Sequence, residues 1–293
     1  MKRLLAAICL VALATMPAAA VETPLAFTTR DGNINLIASE GAAPEQIARG
    51  RYPDIAPDGK RMVYVSEDDK SLVVMDLASG NKTTLAGSET RIMAPSWSPS
   101  GDRVAFFRFD ENYRKELLIV DTAGGTPRKT PLGNMDPVAC AGWTPDGSSL
   151  MLHDIFHLYL VSPSEGVEAE APLEAVTGAK DMSTSTDRFL PHPVNADPIA
   201  FTVSVPGTKE FEEMFNEYNQ ALFLYDTVTK ERKRLTPEDM LATDIRWTRD
   251  GSAIYFSGYR TSEMSEQYPF RIYRLDMGTG EITEVCAGEE PAI

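Results

Sequence analysis

Tyr52-Pro-Asp-Ile-Ala-Pro-Asp-Gly-Lys-Arg-Met-Val-Tyr-Val-Ser66 decides the fold, because the chain says it again and again. The phrase returns as Ala94-Pro-Ser-Trp-Ser-Pro-Ser-Gly-Asp-Arg-Val-Ala-Phe-Phe107, as Cys140-Ala-Gly-Trp-Thr-Pro-Asp-Gly-Ser-Ser-Leu-Met-Leu152 and as Asp244-Ile-Arg-Trp-Thr-Arg-Asp-Gly-Ser-Ala-Ile-Tyr-Phe256. A worn copy occupies Phe189-Leu-Pro-His-Pro-Val-Asn-Ala-Asp-Pro-Ile-Ala-Phe201. Each copy reads strand, tight turn, strand: β-branched and aromatic residues alternate, and Asp-Gly or Ser-Gly supplies the positive φ that the turn needs. The turn glycines Gly59, Gly101, Gly147 and Gly251 fall 42, 46 and 104 residues apart, the last gap spanning two units. A period of this size marks an array of β-units, and a propeller above all.

Each copy continues with a variable loop, a third strand such as Leu72-Val-Val-Met-Asp76 or Leu117-Leu-Ile-Val-Asp121, a short turn and a fourth strand. That gives five full units from about Arg49 to Gly288. The ends supply a sixth. Residues 26–48 read as second, third and fourth strands with no first, and Gly288-Glu-Glu-Pro-Ala-Ile293 matches the opening Gly50-Arg-Tyr-Pro-Asp-Ile55. The expectation is therefore an all-β, six-bladed β-propeller with four-stranded blades. Its last blade is shared between the N- and C-termini, which closes the ring and removes sheet edges that invite aggregation. At about 45 residues per blade the propeller uses up residues 21–293 as a single domain.

The start of the chain reads as an address. Lys2 and Arg3 precede the short apolar run Leu4–Leu13, and Ala18-Ala-Ala20 offers a cleavage point, so residues 1–20 are expected to be a secretory signal peptide. The run is too short to cross a bilayer, and no later segment is apolar enough to do so. The expected destination is the periplasm, with no membrane insertion. Losing Lys2 and Arg3 takes the formal charge from −15 to −17. That acidity argues against nucleic acid and anionic lipid as partners, both of which want basic patches. Cys140 in a first strand and Cys286 in a last strand are expected to lie too far apart for a disulfide.

The repeated Pro-Asp/Ser-x-x-Pro-Asp/Ser-Gly phrase, carried by Pro53–Gly59 and Pro95–Gly101 and, without its leading Pro, by Gly142–Gly147, resembles the TolB-type propeller repeat. The resemblance covers about residues 25–293. It implies a six-bladed propeller and, from TolB itself, periplasmic docking of envelope proteins. TolB's propeller follows an α/β domain, whereas here the signal segment is expected to run straight into the first blade. The same repeats also occur beside peptidase domains and in some pectin-degrading lyases.

No catalytic signature stands out. The sequence holds no Gly-x-Ser-x-Gly elbow, Cys-x-x-Cys, His-Glu-x-x-His, EF-hand loop or phosphate-cradling glycine loop. Its three histidines are His153, His157 and His192. The first two could meet across a hairpin with His192 as a third metal ligand, but ordinary packing is the default, and neither metal nor cofactor is expected. Trp97, Trp143 and Trp247 share one register of the first strand, which points to packing between blades. The loops between second and third strands are the most individual part of the chain, and such loops on a rigid scaffold carry function. Residues 208–218 place Phe211, Met214, Phe215 and Tyr218 at helical spacing behind Thr208 as N-cap. The expected function is a non-enzymatic scaffold that binds an envelope or periplasmic protein through this face and the channel mouth. Arg108, Tyr113, Arg114, Phe215, Tyr218, Tyr259, Arg260 and Tyr268 are its expected contacts, the aromatics as anchors and the arginines for acidic groups. A carbohydrate lyase or hydrolase at the channel mouth, or a glycan-binding lectin, are the competing classes.

Overall fold

A computed structural model describes residues 24–39, 41–138, 142–178, 184, 186–205, 219–264 and 269–293. The described residues are almost entirely β. In chain order the strands begin with β1 (Leu25–Thr28), β2 (Asn33–Ile37), β3 (Glu45–Ile55), β4 (Arg61–Ser66), β5 (Ser71–Asp76) and β6 (Lys82–Gly87). They continue with β7 (Ile92–Trp97), β8 (Arg103–Phe109), β9 (Lys115–Asp121) and β10 (Arg128–Lys129), then β11 (Gly142–Trp143), β12 (Leu150–His153), β13 (His157–Ser162) and β14 (Gly166–Pro172). One short helix, α1 (Leu173–Thr177), precedes β15 (Phe189–Pro191), β16 (Ile199–Val205), β17 (Asn219–Tyr225) and β18 (Arg232–Arg234). The chain ends with β19 (Met240–Trp247), β20 (Ala253–Arg260), β21 (Arg271–Asp276), β22 (Ile282–Ala287) and β23 (Glu289–Ala292).

These strands make four four-stranded sheets, β7–β10, β11–β14, β15–β18 and β19–β22, and one seven-stranded sheet ordered β23-β1-β2-β3-β4-β5-β6. The arrangement is propeller-like. Six separate four-stranded blades are expected from the sequence, and the hydrogen bonding departs from this in one place. β3 is eleven residues long and serves two partners, with Glu45–Arg49 on β2 and Gly50–Ile55 on β4. Gly50 lies where the two halves meet, at φ 151°, and a Cβ there would stand 2.1 Å from the Val65 carbonyl oxygen. Only glycine lets the strand turn from one partner to the other at that spot. At the other end of the same sheet, β23 pairs antiparallel with β1, so the last residues of the chain meet the first strand.

Three of the first strands carry the same irregularity. The register shifts between Arg51 and Asp54 in β3, Met93 and Ser96 in β7, and Thr243 and Arg246 in β19. Tyr52, Ala94 and Asp244 stand at these points with φ of 53°, 48° and 47°, and Glu290 of β23 has a similar φ of 52°. Such bulges bend a strand and re-aim its side chains. The core lies between neighbouring sheets. Val63, Val65 and Leu72 of one sheet pack on Ile92, Val104, Phe106 and Leu118 of the next. Phe201 stacks between Phe189 and Phe223 at 5.6 and 5.4 Å. Among the described residues no helix is long and apolar enough to cross a membrane.

Candidate functional site in the axial cavity

The inner strand of every unit faces its counterparts around a ring: β23 touches β3 and β19, β3 touches β7, β7 touches β11, and β11 touches β15. Together they wall a cavity of about 390 Å³. Three levels of side chains line it. The positive-φ residues Glu290, Tyr52, Ala94 and Asp244, with Arg188 ahead of β15, form the first. Two residues further along, Asp54, Ser96, Gly142, Leu190 and Arg246 form the second. The third consists of the turn residues Pro57, Pro99, Pro145, Pro193 and Arg249. In an antiparallel meander the first-to-second turns and the second-to-third loops lie at opposite ends of the blade. The cavity therefore reaches the end bearing the Pro-Asp-Gly turns, away from the long loops.

The wall between levels is fixed by the tryptophans that share a register. The Trp97 indole donates to the Asp54 carbonyl at 3.0 Å, Trp143 to Ser96 at 3.2 Å, and Trp247 to Leu190 at 3.3 Å. Each ring thus ties its own unit to the preceding inner strand, as the packing reading expects. Arg61 lies over Trp97 at 4.8 Å and Arg103 over Trp143 at 5.1 Å, closing the outer side of those rings.

The cavity concentrates charge. Arg188 pairs with Asp244 at 3.2 Å. Glu290 accepts hydrogen bonds on Oε2 from the Tyr52 N–H at 2.8 Å and the Thr28 hydroxyl at 3.0 Å. Burial, and then the neighbouring Asp244 charge, push Glu290 up to about 7 despite those two bonds. Asp54 accepts the Trp97 N–H on Oδ2 at 2.7 Å. Burial pushes it up to about 6, against the pull of Arg246, the Trp97 N–H and Arg249. Two carboxyls that change charge near neutrality therefore share a small space with three arginines.

Of the contacts expected from the sequence, Arg108, Tyr113 and Arg114 come together at the β8–β9 connection. Arg108 Nε holds Glu116 Oε2 at 2.9 Å, and Lys129 Nζ takes the other Glu116 oxygen at 2.6 Å. Glu116 is partly buried, yet Lys129 and Arg108 hold it below its ordinary value. Tyr113 is 86% exposed, and the Arg114 N–H donates to Asp110. Arg260 ends β20 and pairs with Asp239 at 3.2 Å. Tyr259 sits differently from its expected anchor role: it is 4% exposed and packs edge-on against Phe270, centroids 5.0 Å apart. Ala253–Tyr259 of β20 are buried on both faces of the strand, so Tyr259 belongs to the packed interior and not to a loop. Phe215, Tyr218 and Tyr268, the expected helix at 208–218, the signal segment and Cys140 lie outside the described residues.

The histidines do not converge. His153 is 1% exposed, with Nδ1 3.0 Å from the Asp154 carbonyl and Nε2 3.2 Å from the Asp187 carbonyl, and burial holds its pKa down. His157 stands 3.9 Å from Asp154, and His192 packs on Trp247 at 4.9 Å. Among the described residues no three His, Cys, Asp or Glu side chains are grouped to hold a metal. Cys286 is a free thiol, pushed up to about 12 by burial.

The fold is similar to that of TolB propeller structures. "The structure of putative TolB from Agrobacterium tumefaciens" matches with a TM-score of 0.60 at 16% identity, covering 92% of each chain. TolB from Acinetobacter baumannii matches with a TM-score of 0.58 at 19% identity, covering 92% of this chain and 65% of that one. Kuenenia stuttgartiensis hydrazine synthase shares the architecture at a TM-score of 0.54 and 11% identity, over 89% of this chain and 94% of that one. These likenesses concern the fold. In sequence, the chain is 27% identical over 232 residues to "Uncharacterized peptidase YuxL" of Bacillus subtilis, which covers 75% of this chain and 31% of that protein. It is 29% identical over 101 residues to "Uncharacterized protein Atu1656" of Agrobacterium fabrum, covering 28% of this chain and 34% of that one. The chain thus spans about a third of the length of the curated relatives it matches. No family model matches it.

Proposed function

We propose that this chain is an exported periplasmic binding propeller that docks an envelope protein and takes part of that partner into the axial cavity. The observation that carries the reading is the cavity itself: every inner strand contributes to it, and it holds arginines and titratable carboxyls that the repeat does not require. In this reading the seven-stranded sheet is two blades joined through β3, which brings the blade number to six. The basic, apolar and small residues of the first twenty positions support export. Arg108, Tyr113, Arg114 and Arg260, together with Phe215, Tyr218 and Tyr268, would serve a second contact surface, separate from the cavity mouth.

The test is a crosslinked pull-down of the tagged protein from a periplasmic fraction of its own cells, read by mass spectrometry beside an Arg246→Gln/Arg249→Gln variant. A protein enriched by the native chain and at least tenfold depleted with the double variant is the expected result. Capture that is indifferent to the double substitution would place the partner elsewhere on the molecule. A second reading has its own support in the peptidase-named relative, of which this chain matches a limited part. There the propeller would hold polypeptide for a peptidase, and the captured proteins would include that enzyme.

A further inference from the structure

Around Asp54 the cavity carries more cationic capacity than its own groups use. Asp54 faces Arg246 on β19 and Arg249 in the turn that follows, and both pull on its charge. Yet among the described residues neither arginine closes an ion pair with it. Arg246 donates to the Ile245 carbonyl at 3.0 Å, and Arg249 to the Ala56 carbonyl at 3.1 Å. A guanidinium has five N–H donors, so most of those on both residues remain unspent on protein. Arg188 differs, being engaged with Asp244 at 3.2 Å and with the Asp187 carbonyl at 2.9 Å. The other walls add Glu290 from β23, Tyr52 from β3 and Asp244 from β19. β7 and β11 contribute the uncharged Ser96 and Gly142 at the level of Asp54.

We propose that the axial cavity receives a carboxylate, which replaces the Asp54 carboxylate as counter-ion to Arg246 and Arg249. The inference rests on the binding reading above and names the chemistry of the group bound. Paired guanidinium forks suit a planar carboxylate. About 390 Å³ admits one side chain or a chain terminus and excludes a folded element. The chain as a whole is acidic, at −15, so an acidic partner gains nothing from its general field. At the cavity mouth, where Arg246 is half-buried and Arg249 exposed, the nearest charges decide instead.

The exchange is coupled to a proton. While ionised, Asp54 repels the incoming carboxylate and neutralises the arginines. Once protonated it frees both guanidinium charges and can donate its own O–H. Binding therefore takes up a proton above about pH 6, where Asp54 is otherwise ionised. Glu290 titrates just above it and adds to the same effect.

The experiment is calorimetry on the purified native chain at pH 8 and pH 6, with acetyl-Gly-Asp-Gly-amide, its Asn counterpart and propionate as probes. The Asp peptide is expected to bind and the Asn peptide not to. Affinity should rise by about 50-fold from pH 8 to pH 6 through Asp54, and further through Glu290, with proton uptake visible as a buffer-dependent heat. Asp54→Asn should bind up to about 100-fold tighter than the native chain at pH 8 and lose most of the pH slope, the remainder belonging to Glu290. Arg246→Gln and Arg249→Gln, each checked for folding by circular dichroism, should each cost at least tenfold. Equal affinity for the Asp and Asn peptides, an unchanged slope in Asp54→Asn, or no carboxylate binding by the folded chain at pH 6 overturns the proposal. Propionate binding with the same slope while the peptide is excluded upholds the exchange, assigns it to a small molecule and counts against protein docking. Partner capture that survives Arg246→Gln/Arg249→Gln keeps docking and sinks the carboxylate site.

Discussion

Deleting residues 289–293 is expected to lower the melting temperature by about 10 °C or more and to abolish binding in the cavity. The segment is short, but its contacts are not local. Ala292 and Ile293 are 0% and 8% exposed, and Ile293 packs on Leu25, Phe27, Tyr255 and Ile272. Burying an isoleucine is worth about 2–3 kcal/mol. The Glu290 N–H donates to Ser257 at 2.9 Å, and the Glu290 carboxylate holds the Tyr52 N–H and the Thr28 hydroxyl. Each such bond adds about 1 kcal/mol net, and more where its loss strands a buried donor. Removal also leaves β1 as an open edge beside the cavity, a template for association. A total of at least about 5 kcal/mol corresponds to the stated shift for a chain of this size. Calorimetric melting of the shortened chain checks it. A change below about 3 °C would mean that the terminal strand does not close the structure in solution.

Acidification is expected to stabilise the unliganded protein between about pH 8 and pH 5, and Glu290→Gln should capture most of that gain at pH 8. Glu290 stands at about 7 in the folded chain against an ordinary 4.5, and Asp54 at about 6 against 3.8. Between those values the folded state keeps protons that the unfolded state has lost. Stability therefore falls as pH rises through the interval and levels off above the folded values. For Glu290 alone the displacement corresponds to about 3 kcal/mol. Glutamine preserves an oxygen for the Tyr52 N–H and the Thr28 hydroxyl while removing the charge beside Asp244. It should raise stability by about 2–3 kcal/mol at pH 8 and change little at pH 5. Aspartates of the turns act in the opposite sense at lower pH. Asp76, Asp146, Asp226 and Asp276 are held below their ordinary values by hydrogen bonds from the turns. Their stabilisation is lost as pH falls below about 4, so the optimum should lie near pH 5. Denaturant melts of both proteins at pH 5 and pH 8 decide the matter. A Glu290→Gln chain less stable than the native one at pH 8 would contradict the cavity's electrostatics.

The terminal pairing was legible because strand chemistry is local. Gly288-Glu-Glu-Pro repeats the order of Gly50-Arg-Tyr-Pro, and the structure gives the two glycines φ of 153° and 151°, and Glu290 and Tyr52 φ of 52° and 53°. The common register of the tryptophans likewise foretold their role, since a ring repeated at one position packs against a repeated surface. The merging of the first two units through β3 was not legible, because it depends on how far hydrogen bonding runs unbroken past Gly50. The charged residues of the cavity were not legible for a different reason. Reading the repeat rewards what the copies share, whereas the cavity's chemistry lies where they differ. Arg246 stands where other copies carry Asp54, Ser96 or Gly142, and Arg249 where they carry Pro57, Pro99 or Pro145. Those departures were the available signal. Aromatic residues beside loops are a weaker signal: Tyr259, next to Gly258, is a buried residue of β20.

The most direct measurement of the central claim is photo-crosslinking with benzoylphenylalanine placed at Pro99, on the turn end of the cavity, or at Tyr113, on the long-loop end, in the full chain in its own cells. The account predicts a discrete partner adduct from position 99 that disappears in the Arg246→Gln/Arg249→Gln background. An adduct from position 113 alone, unaffected by those substitutions, would contradict it.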